Sequence, residues 1–243
     1  MPTDQSLQWT FDTKAAIYEC IRPGYEKELY QDLFQYIPIV PSSNVVEIGI
    51  GTGQATKPFL QTGCQLCAVE YGKAMANQCK QRFRAYPNFS VIHAPFEETI
   101  WTQNTYDLVY SATAFHWIKE TIGYPKVYDM LKGGGVFARF ANHPYVEKKN
   151  KPLHDAIQAL YRIYMPDSKE PLEYTEDDAS AIAQIAAHYG FTDIVYHLYH
   201  RTRTFSAKEY TALLSTYSDH IAIEETRRNE FFSQIEASIE AYG

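Results

Sequence analysis

Between Asn44 and Phe140, short apolar runs alternate with longer amphipathic ones, and this rhythm constrains the fold of the 243-residue chain more than any other feature. The apolar runs are 44–48, 65–70, 88–93, 106–112 and 136–140. Each is short and apolar enough to be a strand buried on both faces. Residues 25–37 carry Leu29, Leu33 and Ile37 on one helical face, and residues 73–85 carry Met75, Cys79 and Phe83. Further helices are expected near 55–61 and 125–131. Strands separated by helices pair in parallel through right-handed crossovers, which puts helices on both faces of one sheet. The expected fold class is α/β, a doubly wound, Rossmann-like and mostly parallel sheet.

After Ala141 the rhythm breaks. Residues 142–175 hold four prolines, with a helical stretch at 153–164. Helices follow at 179–189, 207–217 and 224–242, the last with Phe231, Ile235 and Ile239 on one face. Residues 193–205 read as one strand or a hairpin. The expected organisation is an N-terminal helical cap segment at 1–40, an α/β core at 41–141 and a cap insertion at 142–176. The end of the core falls at 177–205 and C-terminal helices at 206–243. Caps of this kind close over ligands and exclude water.

Composition removes several function classes. Twenty-two Lys and Arg against 29 Asp and Glu give a net charge of −7 and a pI near 5.6. No basic field is available for sequence-independent nucleic-acid binding, so no nucleic-acid partner is expected. No apolar run is long enough for a membrane span, and residues 1–11 have no signal-peptide pattern, so a cytoplasmic location is expected. Cys64 and Cys67 form a CxxC, but no second pair or nearby histidines complete a zinc site, and the motif falls on a strand. Buried or bystander thiols are expected, and no metal. The 20 tyrosines and 13 phenylalanines fit either an aromatic pocket or a large core.

The strongest local signal is Glu47-Ile48-Gly49-Ile50-Gly51-Thr52-Gly53, placed after a strand and before a helix. Glycines there allow a tight turn and let a ligand approach the backbone, and the helix start offers free N–H groups. Glu70 ends the next strand. An acid at that place accepts hydrogen bonds from the ribose hydroxyls of an adenosine ligand, or else is a solvated strand end. The spacing is GxGxG, with Gln54 where a dinucleotide fingerprint has its last glycine, and no P-loop occurs. Glu47 suits an amino-bearing ligand better than a pyrophosphate.

Val46 to Thr56, VEIGIGTGQAT, resembles motif I of the class I S-adenosylmethionine-dependent methyltransferases. Glu70 matches their ribose-binding acid, Tyr106 to Ala112 their fourth strand, and Leu131 to Gly135 the turn before their fifth. Ala112 to Trp117 and Ile21 to Tyr25 look like a narrower group, the small-molecule enzymes related to trans-aconitate methyltransferase. The resemblance covers about residues 11–141. It implies S-adenosylmethionine as cofactor, with Gly49, Gly51 and Gly53 shaping the turn under its methionine part. It also implies Glu47 on the amino group, directly or through water, and Glu70 on the ribose. Tyr71 or Met75 would pack near the adenine, Phe96 would be a ring contact, and Ser111 would meet the methionine part by its backbone. The chain departs from the pattern at Glu47, where Asp is common, at Tyr71, and at Gly133, where proline is common.

His116 is open to three roles: general base, acceptor-orienting group, or satisfied structural histidine. Tyr18, Arg22 and Tyr25 would approach from the N-terminal segment. Arg22 offers a fork for an acceptor carboxylate, or an N-terminal ion pair. Arg139, His143 and Tyr145 follow the fifth strand and are further candidates for the acceptor pocket. The implied reaction is in-line methyl transfer to a small molecule, a carboxylate or hydroxyl first, in which alignment does most of the work. Strand four lacks the N/D-P-P-Y/F sequence of amide and adenine N-methylation. A non-catalytic S-adenosylmethionine-binding protein is the alternative. A nicotinamide-dependent oxidoreductase is a weaker one, since Gln54 stands where the GxGxxG fingerprint has its last glycine.

Overall fold

The computed structural model describes residues 24–145 and 149–243. Among these the chain divides into two compact units. The first comprises 24–142 and Glu176–Tyr199, the second His143–Thr175 and His200–Gly243.

The first unit is built on five strands: β1 (Asn44–Ile48), β2 (Gln65–Glu70), β3 (Phe89–His93), β4 (Tyr106–Ala112) and β5 (Leu131–Phe140). They pair in the order β3-β2-β1-β4-β5, every pair parallel. The connections hold α1 (Lys27–Tyr36) before β1, α2 (Lys57–Leu60), α3 (Lys73–Arg82) and α4 (Glu120–Met130). The strand order reverses beside β1, where β2 lies on one side and β4 on the other. Ligands bind at such switch points, outside the carboxyl ends of the strands.

Strand residues alternate between two apolar layers, as the two-residue period requires. Val45, Leu66, Ala68, Leu108 and Tyr110 face a layer with Tyr30, Leu33, Phe59, Cys79 and Phe83. Val46, Ile48, Val69 and Val109 face the other, with Phe115, Tyr124, Val127 and Met130. The α1 helix thus packs into the sheet's own core through Tyr30 and Leu33. Phe59 stacks on Tyr110 with ring centroids 4.1 Å apart.

Residues 193–205 do not form a strand or a hairpin. They run without ladder pairing, and the neighbours Val195 and Tyr196 are both exposed, so the segment has no buried face to specify a register. Tyr199 is anchored by its hydroxyl, which donates to Asp32 Oδ2 at 2.6 Å. After α4 in the first unit come α6 (Glu176–Gln184) and a 3₁₀ turn ending at Gly190, whose φ is +90°.

The second unit is helical: α5 (Lys151–Tyr164), α7 (Ala207–Leu214), α8 (Ser218–Ile221) and α9 (Glu225–Tyr242). Leu214, Phe231 and Ile235 form its buried centre, with Leu160, Tyr161 and Tyr164 packed against them. Asn150 caps α5 and Ser206 caps α7 in a full capping box with Glu209. No helix among the described residues is long and apolar enough to cross a membrane.

Candidate active site

The glycine turn leaves β1 at Ile48. The Gly49 N–H donates to the Val69 carbonyl at 2.9 Å, which extends the β1–β2 ladder by one residue. Gly49, Gly51 and Gly53 have φ of +70°, +58° and +84°, conformations that side chains rarely adopt. Their surroundings differ. A Cβ on Gly49 would collide with the Ala114 methyl, and one on Gly53 with the Phe83 ring. At Gly51 a Cβ would meet only Gln54 Oε1, 4.0 Å away. Two of the glycines therefore serve packing, and Gly51 opens onto space.

Glu70, at the carboxyl end of β2, turns back to that loop. Its Oε2 accepts the Gly51 N–H at 2.8 Å and its Oε1 accepts the Gly72 N–H at 2.8 Å. The carboxylate bridges the loops that follow β1 and β2. The Ala94 N–H donates to the Glu70 carbonyl at 3.0 Å, and His93 Nε2 lies 3.1 Å from the Tyr71 carbonyl oxygen. Three loops are thereby pinned at one edge of the sheet.

Glu47 lies beneath the turn and is fully buried. Its Oε2 accepts from Thr56 Oγ1 at 2.7 Å and from the Tyr110 hydroxyl at 2.7 Å. Burial pushes the Glu47 carboxyl up to about 8. The hydrogen bonds from Tyr110 and Thr56 oppose this, and the charge of Glu70 adds to it. The bonded oxygen faces the core layer, so the acid holds the Thr56 end of the turn from below.

Strand β4 ends at Ala112, where the sequence places its end. The Ser111 side chain donates to the Ile48 carbonyl at 3.0 Å. Thr113 then takes φ of +56°, a genuine strain for a β-branched residue. Its hydroxyl lies 2.6 Å from the Tyr25 hydroxyl, and its N–H donates to the Phe140 carbonyl at 2.8 Å. His116 lies beyond the strand. It sits in a 3₁₀ turn, Phe115–Trp117, exposed, with its ring centroid 5.0 Å from that of Trp117. Phe115 is the buried member of the turn.

Of the adenine candidates, Met75 and Phe96 are buried and Tyr71 is half-buried. The Phe96 ring belongs to the second core layer, beside Trp101, with Lys126 Nζ 5.3 Å from its centroid. Tyr18 and Arg22 lie outside the described residues. Arg139, one residue before the end of β5, lies beside Ser111, whereas His143 belongs to the second unit and stacks on Tyr174. Tyr145, also in that unit, is half exposed. Sequence reasoning missed Thr56, Tyr110 and Thr113. The Glu47–Tyr110 pair needed the β1–β4 register, in which these two residues are partners. Cys64 Sγ donates to the Phe59 carbonyl, and no three metal-ligating side chains converge among the described residues.

Comparison with known proteins agrees with this arrangement. A family model described as a methyltransferase domain matches residues 45–135, from the start of β1 into β5. An uncharacterised methyltransferase of Schizosaccharomyces pombe is 25% identical over 90% of this chain and 83% of its own length. A malonyl-[acyl-carrier protein] O-methyltransferase of Herminiimonas arsenicoxydans is 24% identical over 53% of this chain and 48% of its own. Among solved structures, a candidate type II methyltransferase from Anaeromyxobacter dehalogenans superposes with a TM-score of 0.56 at 17% identity, over 91% of both chains. The glycine turn, the acid on β2 and the parallel sheet thus belong together: residues 45–135 are a class I S-adenosylmethionine-dependent methyltransferase domain.

Proposed function

We propose that this methyltransferase acts on a small molecule, placing the methyl group on a carboxylate or hydroxyl oxygen by in-line displacement. One observation carries the site assignment: the Glu70 carboxylate is held against the open glycine of the turn by the Gly51 N–H, 2.8 Å from Oε2. The residues present fit the cofactor. Gly51 leaves a cradle that a side chain would fill, and Glu70 sets an acceptor-only carboxylate beside it.

When bound, S-adenosylmethionine supplies a methyl group on a sulfonium sulfur, a good leaving group. The chain's own part is then placement. Glu70 would hold the ribose, with Tyr71 and Met75 beside the adenine and Phe96 walling it from the core. Gly49 and Gly53 fix the turn, Glu47 braces it through Thr56, and Ser111 presents its backbone beside Ile48. His116, exposed on its 3₁₀ turn, would take the proton from a hydroxyl acceptor or orient a carboxylate. Tyr18 and Arg22 keep their assignment to the acceptor side on sequence grounds alone. The acidic net charge and the relative named for O-methylation support a small oxygen acceptor.

The test is turnover. S-adenosylhomocysteine release is followed while small carboxylic acids and phenols are offered. Release that depends on one of them, with mass spectrometry showing the methyl group on oxygen, supports the reading. Release only with nucleic acid or protein acceptors overturns it.

A further inference from the structure

Arg139 stands apart from the other cations of the first unit. It is half-buried at the carboxyl end of β5, level with Ser111, and Ser111 is level with Ile48, the last residue before the glycine turn. Two strand spacings, about 10 Å, separate it from that turn. Its Nη1 donates to the Tyr124 hydroxyl at 2.5 Å. Its guanidinium carbon lies 5.2 Å from the Phe115 ring centroid and 5.9 Å from that of Tyr124. Among the described residues these are its side-chain partners, all of them neutral, and no carboxylate pairs with Arg139.

A partly desolvated guanidinium is costly without an anion, and its five donors far exceed what one hydroxyl can satisfy. The fork is also held in place. Tyr124 is fully buried, Phe115 nearly so, and Gly123 lets α4 close on the Phe115 ring. A fixed, cationic fork at the ligand edge of a parallel sheet is suited to bidentate recognition of a carboxylate. The loop 113–117, with its strained Thr113 and exposed His116, runs between this fork and the turn, since Ala114 rests on Gly49.

We propose that Arg139 anchors a carboxylate of the methyl acceptor, and that the atom methylated is a second group of the same molecule. The inference rests on the methyltransferase reading of the glycine turn. Pairing with a guanidinium occupies the carboxylate lone pairs and lowers their nucleophilicity, so the anchored group is not the one that reacts. The acceptor class is a small bifunctional acid: a dicarboxylate, or a carboxylate bearing a hydroxyl or phenol. Tyr124 is a positioning residue for the fork.

The test is calorimetry on the full chain preloaded with S-adenosylhomocysteine. It is titrated with 4-hydroxybenzoate and malonate, and with their amides 4-hydroxybenzamide and malonamide. At least one acid should bind the wild type more tightly than its amide, and Arg139→Gln should weaken that acid about ten-fold or more while leaving the amide unchanged. Arg139→Lys keeps the charge without the fork and should recover only part of the loss. Tyr124→Phe guards against a folding artefact, since it leaves Arg139 in place and should weaken the acid less than Arg139→Gln does. Acids that bind no better than their amides, or that bind Arg139→Gln as they bind the wild type, overturn the anchor. Failure of S-adenosylhomocysteine to bind the folded wild type overturns the underlying site reading, and the anchor with it.

Discussion

The Tyr110 hydroxyl donates to Glu47 Oε2 across 2.7 Å, between register partners on adjacent strands and inside a layer where both side chains are fully buried. Burial lifts the Glu47 carboxyl to about 8, against an ordinary value of 4.5. The folded protein therefore holds a proton that the unfolded chain releases between those two values. Stability falls as pH rises through that window, because the native state binds more protons than the unfolded state. Urea denaturation from pH 4.5 to 8.5 should show this decline in wild type. Glu47→Gln, a neutral side chain of similar shape, should flatten it.

Removing the donor instead of the acid has a different cost. Tyr110→Phe leaves the buried Glu47 oxygen with Thr56 alone and should lose about 1–3 kcal/mol. Cofactor affinity, read by calorimetry at a temperature where the variant is folded, should change far less than stability does.

The three glycines of the turn should separate scaffold from ligand contact. Gly53→Ala meets the Phe83 ring as well as an unfavourable φ, and should be destabilised well beyond the strain alone, about 1–2 kcal/mol. Gly51→Ala has only that strain to bear, because the space beside it is open. Its melting temperature should drop less than that of Gly53→Ala, and its cofactor affinity should drop sharply. Equal effects of the two changes on melting and on binding would remove the distinction.

Thr113 holds a strained φ of +56° while its hydroxyl pairs with that of Tyr25. Thr113→Val keeps the β-branch and the strain and removes the hydroxyl. It should cost about 1 kcal/mol. The loop carrying His116 should loosen with it, lowering kcat more than it changes the affinity for S-adenosylmethionine.

In the second unit, Asp219 Oδ1 lies 2.7 Å from His220 Nδ1, and His220 Nε2 lies 2.9 Å from the Tyr161 hydroxyl. With Asp219 taking the Nδ1 proton, Nε2 accepts from Tyr161. Burial pushes the Asp219 carboxyl up, but its hydrogen bond and attraction to His220 outweigh this and hold it below the usual 3.8. Its contribution is present above the ordinary carboxylate range and is lost as pH falls below that range. The exposed carboxylate limits this effect to under about 1 kcal/mol. Tyr161→Phe should cost about 1 kcal/mol by chemical denaturation. Asp219→Asn should cost less and should remove the acid-side decline of this unit.

Much of the sheet was legible because a strand buried on both faces writes its pattern locally, as 44–48 and 65–70 do. The α4 helix was not. Its start was expected near Pro125, yet it begins at Glu120 with the proline inside, because Gly123 must sit against Phe115 and packing overrides local propensity. Residues 193–205 have strand-forming side chains but no strand, since propensity without a buried face does not build a ladder. In the site, the glycine turn and Glu70 were readable as one compact motif. The Tyr110 and Thr56 hold on Glu47 was not, for it depends on register across distant segments.

The measurement that bears most directly on the account is calorimetric titration of S-adenosylmethionine and S-adenosylhomocysteine into wild type, Glu70→Gln and Glu70→Ala, with NADH as control ligand and circular dichroism confirming the fold of each. The account predicts that both sulfur ligands bind the wild type and that NADH does not. It also predicts a loss of about ten-fold or more in each Glu70 variant, the larger in Glu70→Ala. A folded wild type that binds neither sulfur ligand, or Glu70 variants that bind them as the wild type does, would contradict it.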